Sequence, residues 1–167
     1  MVNEELKYRI LQNFGFAPTA DQLHAVEVFA RFMTDRDERA VMILRGSAGT
    51  GKTSLAGAIV RTMQELRQKV TLLAPTGRAA KVFSLNANLF HDRLFMVDEA
   101  SMISLSSNNS TFGSGCLLDD LIQYVYNDHN CRMLLVGDKA QLPPVGEEES
   151  PALRSDVLRA YGLTVYE

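Results

Sequence analysis

Two short stretches of this sequence carry residue types whose spacing indicates chemistry. The first stretch is residues 46–53, with the sequence GSAGTGKT. It follows an apolar run at residues 40–44 and precedes a run with helical periodicity from Ser54 to about Leu66. Glycines let backbone N–H groups converge on an anion, and the start of a helix adds positive potential. A buried strand, a glycine-rich turn and a Lys-Thr pair at the start of a helix therefore predict a phosphate-binding loop.

The residues of this phosphate loop have separate expected roles. Lys52 would reach the β- and γ-phosphates of a nucleotide, and the Thr53 hydroxyl would coordinate Mg²⁺. The positions expected to surround the nucleotide phosphates are Gly46, Ser47, Ala48, Gly49, Thr50, Gly51, Lys52, Thr53 and Ser54. A nucleoside triphosphate and Mg²⁺ are therefore the expected cofactors.

The second stretch is residues 93–99, an apolar run that ends in two adjacent carboxylates, Asp98 and Glu99. Such a run is typical of a strand that is buried on both faces. Carboxylates at its end are costly unless something uses them. Beside a phosphate loop Asp98 would hold Mg²⁺, usually through water, and Glu99 would orient and deprotonate a water molecule. The alternative is a carboxylate that caps the following helix, which fits the two stretches together less well.

Two further segments each allow two interpretations. Thr19 and Gln22 have the spacing of a capping box, so Gln22 would close the end of a helix. Its carboxamide could equally accept from the 6-amino group of adenine and donate to N7. Arg78 and Lys81 begin a predicted helix, where they would contact the phosphates of a polyanion or remain ordinary solvated charges. The sequence alone leaves these alternatives open.

The order of predicted elements indicates the fold class. Val2, Leu6, Ile10 and Phe14 predict a first helix, and predicted strands then alternate with helices. The strands are expected at residues 40–44, 70–74, 93–97, 133–136 and 163–166, and all but the last are expected to be buried. This alternation predicts an α/β fold, a three-layer sandwich around a mainly parallel sheet.

The phosphate loop, residues 76–81, the Asp98-Glu99 pair and Gln141 all follow predicted strands. Gln141 precedes two prolines and therefore lies on a stiff loop. Ligands bind at the carboxyl edge of open parallel sheets, so these segments are expected to form one site. Other expectations concern packing. Leu23, Val26, Phe29, Ala30 and Met33 should form a buried helical stripe, and one helix is expected over residues 152–161. A further helical face should carry Leu55, Ile59, Thr62, Met63 and Leu66.

Length, charge and composition indicate what class of protein this is. The 167 residues fit one domain, and no interdomain linker is evident. A net charge of −3 argues against nucleic-acid binding by bulk charge, although a local basic groove stays compatible with it. Cys116 and Cys131 lack metal-ligand spacing and suit a reducing compartment. No apolar run reaches the ~20 residues of a membrane span, and no signal-peptide core is present. A soluble cytoplasmic protein is expected.

Five motifs in order carry a resemblance to a known family. They are PTADQ at 18–22, GSAGTGKT at 46–53, APTGRAA at 74–80, VDEASM at 97–102 and VGDKAQLPPV at 136–145. Together they resemble the first RecA-like domain of superfamily 1 DNA helicases of the RecD type, the exodeoxyribonuclease V alpha-chain family. The resemblance covers nearly the whole chain beyond the first helix.

The resemblance implies a function and a set of site residues. It implies a P-loop ATPase that couples ATP hydrolysis to 5′-to-3′ movement along single-stranded DNA, with a role in DNA repair and recombination. It also raises the question of a nuclease partner. The roles implied by the family are adenine reading for Gln22, Mg²⁺ binding for Asp98, catalytic base for Glu99, γ-phosphate sensing for Gln141, and single-strand binding for Pro75, Thr76 and Arg78.

The sequence departs from the family in two places. Relatives carry a longer segment with a Thr-x-His triplet before the Asp98 strand, whereas here residues 82–93 lack it and His91 follows Asn-Leu-Phe. The chain also ends at Glu167, about where the family begins its next motif and its second RecA-like domain. That domain supplies arginines to phosphoryl transfer. We therefore expect residues 1–167 to form a single motor domain with a helical extension at about residues 1–17, and weak activity in isolation.

Two other classes of protein remain as alternatives. A phosphate-loop GTPase should carry an Asn-Lys-x-Asp guanine reader, which the sequence lacks, and a small-molecule kinase does not need Glu99 beside Asp98. The other alternative is a module that docks nucleotide or a partner protein without turnover. The presence of both Lys52 and Glu99 argues against this alternative for the full protein.

Overall fold

A computed structural model describes residues 2–47, 49–75, 92–103, 116–127, 129–138 and 148–167. The described part contains five helices and five strands with two short 3₁₀ segments. In chain order these are α1 (Val2–Phe14), α2 (Ala20–Thr34), β1 (Ala40–Arg45), α3 (Lys52–Glu65), β2 (Lys69–Leu73), β3 (Arg93–Val97), a 3₁₀ turn (Ala100–Met102), α4 (Leu117–Val125), β4 (Arg132–Gly137), a second 3₁₀ turn (Pro151–Leu153), α5 (Ser155–Ala160) and β5 (Thr164–Tyr166).

The five strands form one sheet in the order β2-β3-β4-β1-β5, and every neighbouring pair is parallel. Strand β4 therefore lies between β1 and β3, with Ile43 opposite Leu135 and Phe95 opposite Met133. Neighbouring strands are about 4.8 Å apart, so the ends of β1 and β3 are separated by about 10 Å. The predicted α/β fold with a parallel sheet is confirmed.

Helices cover both faces of the sheet. On one face, residues of α1, α2 and α3 pack against alternate positions of β1, such as Met42 and Leu44. On the other face, residues of α4 and α5 pack against Val41 and Ile43. Because side chains alternate along a strand, one buried strand can serve two cores. The three predicted layers are present.

Helix α1 packs against the same core as α2 and α3. Leu6, Ile10 and Phe14 are buried at the predicted spacing of four residues. At its carboxyl end, the Asn13 amide donates to Thr62 Oγ1 at 3.0 Å, while Arg61 donates to the Asn13 carbonyl oxygen at 2.8 Å. These contacts bind α1 to the helix that follows the phosphate loop.

Strand β5 is bound to the segment that precedes β1. The Tyr166 hydroxyl donates to Asp35, and the Thr164 hydroxyl donates to Asp37. Burial, and then the hydrogen bond to Asp35, raise the pKa of Tyr166 to about 12. The same hydrogen bond lowers the pKa of Asp35. This pairing fixes the carboxyl end of the chain beside β1.

One predicted strand is less buried than expected. Strand β2 has no fully buried residue, and Leu72 is 64% exposed. In the described part of the chain β2 pairs only with β3, so it forms the edge of the sheet. An apolar run of five residues does not distinguish an edge strand from a central one. The strand predicted at residues 70–74 is therefore present, as Lys69–Leu73, but the prediction that it is buried was wrong.

Three packing expectations also need correction. In α2, Leu23 is 40% exposed while Val28 and Phe32 are buried. The helix therefore buries a wider face, because Phe32 packs edge-on against Tyr166 of β5. Leu66 is 37% exposed because it follows the last helical residue of α3. The single helix expected at residues 152–161 is a 3₁₀ turn and then α5, separated by extended backbone at Arg154.

We predict opposite stability effects for alanine at two glycines. A Cβ at Gly137 would lie 2.8 Å from both terminal carbons of Leu153, whose side chain is buried, so Gly137→Ala should destabilise the fold by about 1–3 kcal/mol. A Cβ at Gly57 in α3 would meet only Arg61 Nη1 at 3.6 Å, so Gly57→Ala should stabilise it by about 0.5–1 kcal/mol. Urea unfolding measures both. Equal midpoints for the two variants would contradict the packing of Gly137 against Leu153.

Candidate functional site

The carboxyl edge of the sheet brings the chemistry-bearing segments together. The phosphate loop follows β1, Asp98 and Glu99 follow β3, and Asp138 follows β4. The Gly46 N–H donates to the Gly137 carbonyl oxygen at 3.3 Å, which continues the pairing of β1 with β4 into the loop. The parallel register therefore sets where the phosphate loop starts relative to the neighbouring strand ends.

The phosphate loop has the backbone that an anion site needs. Gly49 and Gly51 both have φ of +81°, which is the left-handed conformation that side chains disfavour. Gly51 is the N-cap of α3 and offers no side chain to the first N–H groups of that helix. Those N–H groups and the helix dipole are thus available to an external anion.

The Lys52 ammonium lies within the loop. Its Nζ donates to the carbonyl oxygens of Gly46 and, at 3.3 Å, Ser47. The Thr50 hydroxyl donates to the same Ser47 oxygen at 2.7 Å. Phosphate oxygens are stronger acceptors for an ammonium than carbonyl oxygens are, because the resulting hydrogen bond joins two charges. Lys52 is therefore placed to exchange these bonds for bonds to a phosphate.

A cavity of about 1010 Å³ lies between the phosphate loop and the carboxylates at the end of β3. Its lining includes Ser47, Lys52 and Thr53 from the phosphate loop side, and Asp98 and Glu99 from the end of β3. An ammonium, two hydroxyls and two carboxylates thus line one solvent-accessible space. Gly49, Gly51 and Lys52 also line a second cavity of about 600 Å³, together with Gly46, Thr50 and Ser54. The loop separates the two cavities.

The two adjacent carboxylates have different local settings. Asp98 Oδ1 accepts from the Glu99 N–H at 2.9 Å, and the Asp98 N–H donates to the Leu73 carbonyl oxygen at 2.9 Å. Glu99 has φ of +55°, and its side chain makes no capping hydrogen bond to the 3₁₀ turn that follows. The capping alternative for Glu99 is therefore not what the structure contains. A strained backbone at a charged residue is a feature of functional sites.

Asp138 is a residue that the sequence reasoning left without a role. It follows β4, it is 7% exposed, and it lines the larger cavity between the ends of β1 and β3. Its signal in the sequence was the same as that of Asp98, a carboxylate directly after a continuous apolar strand. Strand order was needed to place it beside the phosphate loop.

Gln22 contacts both the cap of α2 and the phosphate loop. Its Oε1 accepts from the Thr19 N–H at 2.9 Å, and Thr19 Oγ1 accepts from the Gln22 N–H at 3.2 Å, which confirms the capping box. Its Nε2 donates to the Thr50 carbonyl oxygen at 2.9 Å. Gln22 and the exposed ring of Phe16 both line the smaller cavity.

Five candidate site residues lie outside the described residues: Ala48, Thr76, Arg78, Lys81 and Gln141. Pro75 is described, is half-buried, and follows β2 two residues after its end. The neighbouring Ala74 lines the larger cavity.

The donor set suits Mg²⁺ better than a metal held by protein ligands alone. Within the described ranges no group of three or more His, Cys, Asp or Glu residues could hold a metal ion. Mg²⁺ usually keeps several waters and binds through one or two carboxylates together with substrate phosphates. The Thr53 hydroxyl and the Asp98 carboxylate on one cavity fit that pattern.

Among the helices of the described ranges, none has the length and apolarity that crossing a membrane requires.

A comparison with models of known protein families assigns the chain to one of them. A family model described as an AAA domain matches residues 18–156, which is most of the sequence. The chain belongs to this AAA-domain family. An AAA domain with a phosphate loop indicates nucleotide binding of the ATPase type. The family match and the parallel sheet confirm the predicted P-loop fold, and no curated protein matches the chain.

A solved structure shows similarity to this chain at low sequence identity. It is the E. coli MS115-1 HORMA:CdnC:Trip13 complex, with 14% sequence identity and a TM-score of 0.41. The match covers 86% of this chain and 57% of that chain, so the chain spans little more than half the length of the solved one.

We predict that residue 99 favours glycine for stability. Because Glu99 has φ of +55°, any side chain at this position costs about 1 kcal/mol in the left-handed region. Glu99→Gly should therefore be more stable than Glu99→Ala by about that amount. Urea unfolding of the two variants, neither of which keeps the carboxylate, isolates the backbone effect. Identical midpoints would argue against strain at this residue.

Proposed function

We propose that this AAA domain is the ATP-hydrolysing motor domain of a RecD-like DNA helicase that moves 5′ to 3′ on single-stranded DNA. The observation that supports it most is the single cavity lined by Lys52, Thr53, Asp98 and Glu99. Phosphate binding, metal binding and activation of water need these groups side by side. They come from two loops that are 45 residues or more apart in the sequence, and the parallel sheet places both at one edge.

In this proposal the two cavities take the two ends of one nucleotide. The triphosphate would lie in the larger cavity, where Lys52 and the N–H groups at the start of α3 face it. The base would lie in the smaller cavity, which the exposed apolar ring of Phe16 lines beside Gln22. Both cavities share Gly49, Gly51 and Lys52, so the nucleotide would pass over this part of the loop. The resemblance implies adenine reading for Gln22, whose carboxamide in this structure is bonded to Thr19 and Thr50.

Thr53 and Asp98, which line the same cavity, would hold Mg²⁺ beside the triphosphate. When bound, the ion neutralises charge on the phosphate oxygens. Asp98 Oδ1 accepts a hydrogen bond from the Glu99 N–H at 2.9 Å. To bind Mg²⁺, Asp98 would give up this hydrogen bond or use its Oδ2 atom. Asp138, buried between the two strand ends, adds negative charge to the same space and would favour a cation there.

Hydrolysis in this site would depend on Glu99. The Glu99 carboxylate would accept a proton from a water molecule as that water attacks the γ-phosphorus, and the bond from the γ-phosphorus to the bridging oxygen would break, releasing ADP. Lys52 would stabilise the charge that develops on the transferred group. Gln141 would sense the γ-phosphate, a role supported by the sequence motif.

Coupling to DNA is the part of the proposal that depends on segments beyond the cavity. Pro75, Thr76 and Arg78 would contact single-stranded DNA, and a second RecA-like domain in the full protein would supply arginines to the phosphoryl group. Closure of the two domains on ATP and their reopening after hydrolysis would move the strand. The ordered motif set supports this step.

We expect two substitutions to separate binding from turnover. Lys52→Ala removes the cation that faces the phosphates and should weaken Mg-ATP binding roughly ten-fold or more. Glu99→Gln keeps the size of the side chain but removes the base, so binding should persist while hydrolysis falls by about 10²–10⁴-fold. ATP hydrolysis by the full-length protein, with and without single-stranded DNA, measures both effects. A wild-type protein whose hydrolysis is not stimulated by DNA would refute the translocase.

Base preference distinguishes the proposal from a GTPase. Competition between ATP and GTP for a fluorescent nucleotide should favour ATP, since the sequence has no Asn-Lys-x-Asp guanine reader. A preference for GTP would overturn the assignment.

The alternative of a non-catalytic docking module is tested on residues 1–167 alone, for which we expect weak nucleotide binding and little turnover. Substantial DNA unwinding by these residues would contradict that expectation.

A further inference from the structure

The carboxamide of Gln22 joins two parts of the structure that the sequence separates. Its Oε1 accepts from the Thr19 N–H at 2.9 Å, at the start of α2. Its Nε2 donates to the Thr50 carbonyl oxygen at 2.9 Å, inside the phosphate loop. One side chain thus connects the fixed end of a core helix to the loop across 28 residues of sequence.

Gln22 contacts the phosphate loop at the turn that directly precedes helix α3. Thr50 is itself bonded to Ser47, with its N–H at 3.3 Å and its hydroxyl at 2.7 Å from the Ser47 carbonyl oxygen. The next residue, Gly51, is the N-cap of α3, and a Cβ there would lie 2.6 Å from Gln22 Nε2. The amide therefore packs against the loop at the turn that aims the first N–H groups of α3.

The anchored end of this contact is rigid for a separate reason. Thr19 and Gln22 form a complete capping box, so the backbone at Thr19 is held by the Gln22 side chain and the backbone at Gln22 by the Thr19 hydroxyl. Helix α2 is in turn buried through Val26 and Phe29 in the core. A loop hydrogen-bonded to this helix end has less freedom to move than a loop that is held only by its own bonds.

We infer that Gln22 is a positioning residue for the phosphate loop, and that it strengthens the binding of the triphosphate part of any nucleotide, whatever its base. The inference rests on the proposed function, since it assumes that the loop binds phosphates. It differs from adenine reading, which concerns adenine nucleotides alone. It also differs from a purely structural cap, which concerns only the stability of α2.

Two variants separate these roles. Gln22→Met keeps the length of the side chain but removes both of its hydrogen bonds, including the bond to Thr50. Thr19→Val is the matched control, because it removes the Thr19 hydroxyl from the capping box but leaves the Thr19 N–H and the bond from Gln22 to Thr50 in place. Binding of three probes is measured by calorimetry with Mg²⁺: a non-hydrolysable ATP analogue, the matching GTP analogue, and inorganic tripolyphosphate.

The expected result is a loss of affinity that does not depend on the base. Loss of one hydrogen bond that holds the loop should reduce the affinity of Gln22→Met for all three probes by a similar factor, roughly three- to ten-fold. Thr19→Val should stay within about two-fold of wild type for each probe. Amide hydrogen exchange in the phosphate loop, measured without ligand, should become faster in Gln22→Met and stay unchanged in Thr19→Val.

Other outcomes overturn the inference in distinguishable ways. A loss for the ATP analogue alone would make Gln22 an adenine reader. Equal losses of affinity in Gln22→Met and Thr19→Val would show that Gln22 acts only as a helix cap. Unchanged affinity together with unchanged amide hydrogen exchange in Gln22→Met would show that Gln22 does not position the loop. If wild-type protein bound none of the three probes, the proposed function itself would fail, and the inference would fail with it.

Discussion

The site depends on the parallel register of β1, β4 and β3. Because these three strands run in the same direction, their carboxyl ends meet at one edge, with β4 holding the phosphate loop and the end of β3 about 10 Å apart. The bond from the Gly46 N–H to the Gly137 carbonyl oxygen extends this register into the loop. Lys52 and Glu99 could not share a cavity if either β1 or β3 ran in the opposite direction.

Much of this arrangement could be predicted from the sequence. Continuous apolar runs identified β1, β3 and β4, because a strand buried on both faces has no room for polar side chains. The glycines of the phosphate loop permit a left-handed backbone that other residues disfavour, and with the Lys-Thr pair at the start of a helix they predict a phosphate-binding loop. The capping box of Thr19 and Gln22 was likewise readable, since its hydrogen bonds are local.

Features that depend on strand order could not be predicted in this way. The exposure of Leu72 follows from the position of β2 at the sheet edge, which the run of apolar residues does not encode. Asp138 acquires its place beside the phosphate loop only when β4 lies between β1 and β3. The contact of Gln22 with Thr50 joins two segments through tertiary packing, so the two interpretations of Gln22 gave no sign of it.

The fold of this AAA domain brings together motifs that are separated in the sequence. The function that we propose is tested most directly by locating a bound nucleotide. A crystal structure with Mg²⁺ and a non-hydrolysable ATP analogue would show where each end binds. The account predicts the γ-phosphate within hydrogen-bonding distance of Lys52 Nζ, Mg²⁺ on the side of Thr53 and Asp98, and the base beside Phe16 and Gln22. A nucleotide bound away from the larger cavity, or one with its base beside Asp98 and Glu99, would contradict it.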